Sequence, residues 1–377
     1  MISDLPDVND YAERFHSNKK ARFKERYEEI LDDNKVEEIK PSVQTDISLE
    51  QEHVDLVRAV SSGFHQTSRA PGSESGFKFS CVDPLSEEVG LDNGADVLLA
   101  RTREFSRVQL CVVACEVDDS TVPSWISNIN SIHSTFSDPS NRDKILDQIG
   151  AGSKTLDEIQ YITLIKPEDY GSLSFSELNG RCNPSEYAVW SVKKNGMSEI
   201  CHEGGELIHK ELLDVIQNCF DYDVAENPIE YTLGTDQVVP LSNVVYRLVR
   251  GKDIYEDAEE PLEFTRSEFK SKFAEKLKLS TPEPKKDEMI DSAVRDMLTT
   301  GVQIGIFSKS SPKLDRSDYR IMYKGSDDAK TAEDAVFTKY IEKVAENRLQ
   351  IQAFEQAKSE FSTGQKGLSD FSSTEVE

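Results

Sequence analysis

Ten consecutive residues, Val108–Val117, read Val-Gln-Leu-Cys-Val-Val-Ala-Cys-Glu-Val. A strand that is apolar on both faces has to be covered on both, so it lies inside a sheet rather than at a solvent face. This run therefore predicts a central sheet flanked by helices, a mixed α/β architecture. It is also the longest apolar cluster of the chain, well short of the ~18 residues that a membrane span needs. The start, Met1-Ile-Ser-Asp-Leu-Pro-Asp, is acidic and has no basic segment ahead of an apolar one, so it does not read as a secretory signal. A cytoplasmic protein with no membrane association is the expectation.

The chain has 377 residues, 37% of them hydrophobic and 8% aromatic, which is enough for two or three packed domains. Seventy Asp and Glu face forty-four Lys and Arg, a formal charge of −26 that repels nucleic acid from most of the surface. The excess is uneven. Residues 261–325 carry a net +3, and the rest of the chain −29. The six cysteines show no C-x-x-C spacing and are expected to be reduced thiols. Cys201-His202 with His209 lacks the spacing of a zinc site.

Periodicity divides the chain into five stretches. Residues 1–45 form a charged helical arm, capped by Asn9 or Asp10, with Tyr11, Phe15, Phe23, Tyr27 and Leu31 on one stripe. Residues 46–225 hold the α/β domain. A helix at Leu49–Ser62 precedes strands at Phe77–Val82, Ala95–Arg101 and Val108–Val117. A helix then carries Trp125, Ile129, Ile132 and Phe136, and a strand follows at Glu158–Ile165. Two more strands flank Lys194-Asn195-Gly196, a hairpin signal, ahead of a helix at Glu206–Phe220.

Residues 240–325 read helix, strand, helix, helix, hairpin. Thr265-Arg266-Ser267-Glu268 is a capping box there, and Asp287 caps the helix that follows. Residues 331–361 form one long helix with Phe337, Val344, Ile351 and Phe354 near heptad spacing, and 362–377 a polar, disordered tail. The arm and the long helix are the expected surfaces for a protein partner or a second copy.

Two carboxylates stand out in the α/β stretch. Asp96 lies near the start of one expected strand and Glu116 near the end of the next. Carboxylates from adjacent strands suit Mg²⁺ or Mn²⁺, which take oxygen ligands and keep positions open for water and phosphate. With the helix before and the helix and strand after, this arrangement resembles the restriction-endonuclease-like nucleases, the PD-(D/E)xK superfamily, over about residues 49–220. The resemblance implies metal-dependent phosphodiester hydrolysis, with Asp96 and Glu116 as metal ligands and catalytic residues. It departs from the pattern two residues after Glu116. The superfamily has Lys there and this chain has Asp118, a third carboxylate that assists or marks degeneracy; Lys144, Lys154 and Lys166 are the other lysines weighed for the role.

Residues 240–325 resemble a winged-helix domain. Its third helix carries Asp287, Glu288, Asp291 and Asp296 against Arg295 alone, which disfavours reading of the major groove. The hairpin is better suited to DNA, with Lys309, Lys313, Arg316 and Arg320 near Tyr319 and Tyr323. The sequence thus points to a nuclease-like, DNA-acting protein of a restriction or anti-phage defence type. The alternative is a catalytically silent adaptor that holds protein partners. No Walker A loop, H-E-x-x-H or G-x-S-x-G motif is present.

Overall fold

The computed structural model describes residues 5–31, 33–66, 70–84, 95–103, 106–117, 122–166, 182, 184, 186–194, 198–222, 231, 235–252, 262–277, 283–309, 318–322 and 329–369. These hold ten α-helices and ten strands, and the chain forms two compact units. One comprises residues 48–240 and 266–295, the other 1–47, 241–265 and 296–377. The 240–325 stretch is thus shared between them.

The first unit is built on a seven-stranded sheet. Its strands are β1 (Lys78–Val82), β2 (Val97–Arg103), β3 (Arg107–Cys115), β4 (Thr155–Ile165), β5 (Tyr187–Lys194), β6 (Ser198–Gly205) and β7 (Phe220–Asp221), and they lie side by side in chain order. β1, β2 and β3 form an antiparallel meander. β4 runs parallel to β3 and β5 parallel to β4, and β6 and β7 return antiparallel. Two helices, α4 (Val122–Ser137) and α5 (Pro139–Gln148), make the crossover that a parallel β3–β4 pair requires.

The apolar run behaves as its pattern dictates. Cys111, Val113 and Cys115 of β3 face a core shared with Leu56, Val57 and Val60 of α3 (Asp33–Gly63) and with Leu212 and Ile216 of α6 (Lys210–Ile216). Val108, Leu110, Val112 and Ala114 face the opposite core, with Trp125, Ile129, Ile132 and Phe136 of α4 and Ile145 of α5. Residues of alternate parity enter different cores, the period of two that a strand imposes. The expected central sheet flanked by helices is present.

Several boundaries move. α3 begins sixteen residues before the expected helix at Leu49 and continues through the polar stretch, past Pro41. Val43 and Ile47 account for it: one helical turn apart and both buried, they extend the apolar stripe. The helix expected at Glu206–Phe220 shortens to α6 and leaves Phe220 to pair in β7 opposite Ile200. Cys201 and Cys219 form a disulfide, contrary to the expectation of reduced thiols. They are 18 positions apart in sequence with a whole helix between them, so no local spacing announced the pair. Cys111 and Cys115 are buried free thiols, and burial pushes both well above the ordinary thiol range.

The second unit contains α1 (Val8–Ala12), α2 (Ser17–Ile30) and α10 (Ala329–Ser369). The arm is two helices, and Asp7 rather than Asn9 or Asp10 caps the first, accepting from the Asp10 N–H at 2.9 Å. Its stripe is occupied within the chain: Phe23, fully buried, lies 5.4 Å from the Phe361 ring and 6.2 Å from Phe354 of α10. A three-stranded sheet in this unit has β10 (Asp318–Ile321) between β8 (Glu263–Thr265) and β9 (Phe307–Lys309), antiparallel to both. Among the described residues no helix is long and apolar enough to cross a membrane.

Candidate functional site

The carboxylate end of the sheet is assembled by backbone bonds just outside the strands. Asp96 precedes β2; its N–H donates to Val113 and its carbonyl accepts from Asp83, which holds the residue between β1 and β3. Its carboxylate then takes two donors. The Cys115 N–H reaches Oδ2 at 2.6 Å, and His53 Nε2 of α3 lies 2.8 Å from Oδ1. Glu116 is one residue beyond β3, with its N–H on the Leu164 carbonyl of β4 and its Oε1 accepting from Asn128 of α4 at 2.7 Å. Asp96 is thus engaged from α3 and Glu116 from α4. Both sit at one end of adjacent strands, as the sequence suggested.

His53 is three-quarters buried in its side chain, which by itself favours the neutral ring. The Asp96 hydrogen bond and charge, with Glu50 and Asp83 nearby, outweigh that burial and lift His53 to about 9. It is an imidazolium at neutral pH, so the pair is a charge-assisted hydrogen bond.

Of the three lysines weighed, one belongs here. Lys154 lies ahead of β4 at the far end of the sheet, where Nζ reaches Thr102 at 3.1 Å, and Lys144 bonds Asn141 within α5. Lys166 is one residue beyond β4. Cys115 pairs with Leu164 in the parallel ladder, and two residues further along, Lys166 stands level with Val117, the neighbour of Asp118. Its ammonium pairs with Glu52 of α3. Asp118 itself lies outside the described residues.

Glu52, His53 and Asn128 were not singled out from the sequence. His53 carried a signal: it occupies the helical stripe of Val57, Val60 and Phe64, a polar group where the pattern calls for an apolar one. Glu52 and Asn128 carried none, because only the sheet brings them to the carboxylates.

Asp96 and Glu116 supply carboxylate oxygens, the donors that Mg²⁺ and Mn²⁺ take, and the oxygens bonded to His53, Cys115 and Asn128 retain lone pairs. In kind, the donor set fits such an ion. Among the described residues the one grouping of three His, Cys, Asp or Glu ligand atoms is Glu199, Cys201 and Cys219, whose sulfurs are joined to each other.

On the three-stranded sheet, Lys309 is exposed on β9, and Arg320 on β10 is paired with Glu263 at 2.5 Å. Lys313, Arg316 and Tyr323 lie outside the described residues. Tyr319 is buried and stacks on Phe264, 5.6 Å between centroids, so it belongs to a core rather than to a binding face. The acidic helix, α9 (Glu283–Gln303), has part of its charge met from α8 (Arg266–Ala274): Lys270 lies 3.6 Å from Asp287 and 3.2 Å from Asp291. Neither a family model, a curated protein nor a solved structure matches this chain.

Proposed function

We propose that this chain is a nuclease-like protein that acts on DNA, of a restriction or anti-phage defence type, with phosphodiester hydrolysis at the Asp96–Glu116 end of the sheet. One observation carries the reading. A helix, an antiparallel three-strand meander, a helical crossover and a fourth strand parallel to the third follow in order, and Asp96, Glu116 and Lys166 all emerge at the same end. That is the succession on which the restriction-endonuclease-like resemblance rests. In this reading Lys166, from a neighbouring strand, supplies the positive charge that Asp118 cannot.

In this reading Asp96 and Glu116 hold Mg²⁺ or Mn²⁺, which supplies a polarised water and offsets charge on the scissile phosphate. Lys166 faces the same phosphate, and Glu52 holds the ammonium in place. Asn128 fixes the Glu116 carboxylate. The sheet order β8-β10-β9 supports a winged-helix-like module, in which the exposed Lys309 would meet the DNA backbone directly and Arg320 on release from Glu263.

The test is cleavage of single- and double-stranded DNA and RNA in Mg²⁺ and Mn²⁺ beside a Glu116→Ala control. Cleavage lost in the control supports the hydrolase. Intact substrates, with no Mn²⁺ heat in calorimetry, favour the second reading, a silent adaptor. One observation speaks for the adaptor: His53 Nε2 already engages Asp96 Oδ1 at 2.8 Å, where a cation would bind.

A further inference from the structure

At the other end of the same sheet, about 17 Å along β2 from Asp96 at ~3.3 Å per residue, the core facing α3 and α6 turns polar. Arg101 of β2, Gln109 of β3 and Glu158 of β4 stand in one cross-strand row. His209, the residue before α6, covers it, 99% buried, with its ring 4.9 Å from that of Phe77. Gln109 is fully buried.

Three polar atoms of this row are buried and have no partner: Arg101 Nη1, Gln109 Oε1 and His209 Nε2. Neighbouring atoms of the same three side chains meet carboxylates. Arg101 Nη2 donates to Glu211 at 2.9 Å, the Gln109 amide donates to Glu158 at 2.8 Å, and His209 Nδ1 faces Glu158 at 3.6 Å. Protein interiors rarely leave such atoms unpaired, and three in one row is an unmet demand for a ligand.

The next pair outward is Arg103 directly opposite Arg107. Like charges at facing positions of an antiparallel pair repel, and each arginine has one distant acid, Glu211 at 3.6 Å and Asp157 at 3.5 Å. Burial, then Arg101 and Arg103, push His209 down to about 4, so it is a neutral ring in electropositive surroundings.

We propose that the Arg101–Gln109–His209 row, flanked by Arg103 and Arg107, binds a phosphate group. Arg101 Nη1 donates to its oxygens, Arg103 and Arg107 share its charge across the strand pair, and Gln109 Oε1 accepts from the hydroxyl of a hydrogen phosphate. Asp96 and Glu116 take no part, so the site stands whether or not the hydrolase reading does.

The experiment measures thermal unfolding and calorimetric binding of the full chain with inorganic phosphate, against chloride at equal ionic strength. Gln109→Leu and the pair Arg103→Gln/Arg107→Gln serve as variants. The wild type is expected to gain several degrees in Tm, and both variants to bind at least tenfold more weakly. Gln109→Leu removes a buried oxygen that has no partner at the cost of one hydrogen bond to the half-exposed Glu158, so it is expected to fold about as stably without phosphate, which separates lost binding from lost structure. A wild type indifferent to phosphate, or variants that respond like it, overturns the site. Two oligonucleotides identify the source: preference for a 5′-phosphorylated strand over its 5′-hydroxyl twin assigns a terminal nucleic-acid phosphate, and equal binding assigns the free anion.

Discussion

His53 Nε2 lies 2.8 Å from Asp96 Oδ1, and this one contact ties α3 to the residue that opens β2. It has a pH signature. The pair lifts His53 from its ordinary 6.5 to about 9, so the folded state holds the proton more tightly than the unfolded chain. The resulting stability is fully present below pH 6.5 and is lost as pH rises through 9. Screening reduces the gain at this partly exposed pair to about 2 kcal/mol. Urea midpoints at pH 6 and pH 9.5 are expected to fall further for the wild type than for His53→Gln. Parallel slopes for the two proteins would remove the pair as the cause.

The disulfide gives a second test. Cys201 and Cys219 close a loop of 18 residues, for which chain entropy alone gives about 3 kcal/mol. It also anchors the Ile200–Phe220 pairing, against which Gly63 of α3 packs so closely that a Cβ there would meet Phe220 at 3.0 Å. Cys219→Ser is expected to lower the urea midpoint of the oxidised protein, and dithiothreitol to lower the wild type to the same value while leaving the variant unchanged. A variant that is still sensitive to dithiothreitol would count against this bridge.

How far the sequence reached depended on whether a signal was local. Val108–Val117 announced a strand covered on both faces because each residue's burial follows from its neighbours' parity, and the sheet, its flanking helices and the common end of Asp96 and Glu116 all follow from it. The start of α3 was missed because Val43 and Ile47 sit among polar residues, and tertiary burial overrode the local pattern. The disulfide and the Lys166–Glu52 and Asn128–Glu116 contacts join residues far apart in sequence, and no spacing rule reaches them. The Arg101–Gln109–Glu158 row was invisible for the same reason: it exists only once the register of three strands is known.

The N-terminal arm is a packed element. Phe23 has no exposed surface and meets Tyr11, Phe354 and Phe361 at 5.2, 6.2 and 5.4 Å between ring centroids. Deleting it removes a buried aromatic and leaves a cavity, a loss of about 3–5 kcal/mol. Phe23→Ala is therefore expected to let limited proteolysis cut within the first thirty residues before the seven-stranded unit is attacked. The exposed Arg26–Glu360 pair nearby is expected to matter little, so Arg26→Gln should leave the digestion pattern unchanged. Equal protection of Phe23→Ala and wild type would show that the arm gains nothing from that cluster.

Lys166 carries the sharpest consequence of the hydrolase reading. Its side chain is a quarter exposed and its ammonium pairs with Glu52, so the fold has little to lose from replacing it. A charge aimed at a developing phosphate charge, by contrast, is worth a factor of about 10²–10³ in rate. Lys166→Met is expected to leave Tm within a degree or two of wild type while cutting DNA hydrolysis by at least that factor. Glu52→Gln frees the ammonium to wander and is expected to cost less, about tenfold. If the cleavage seen with wild-type protein survives Lys166→Met intact, β4 does not deliver the missing lysine, and the double variant Asp118→Lys/Lys166→Met then asks whether the position after Glu116 can still use one.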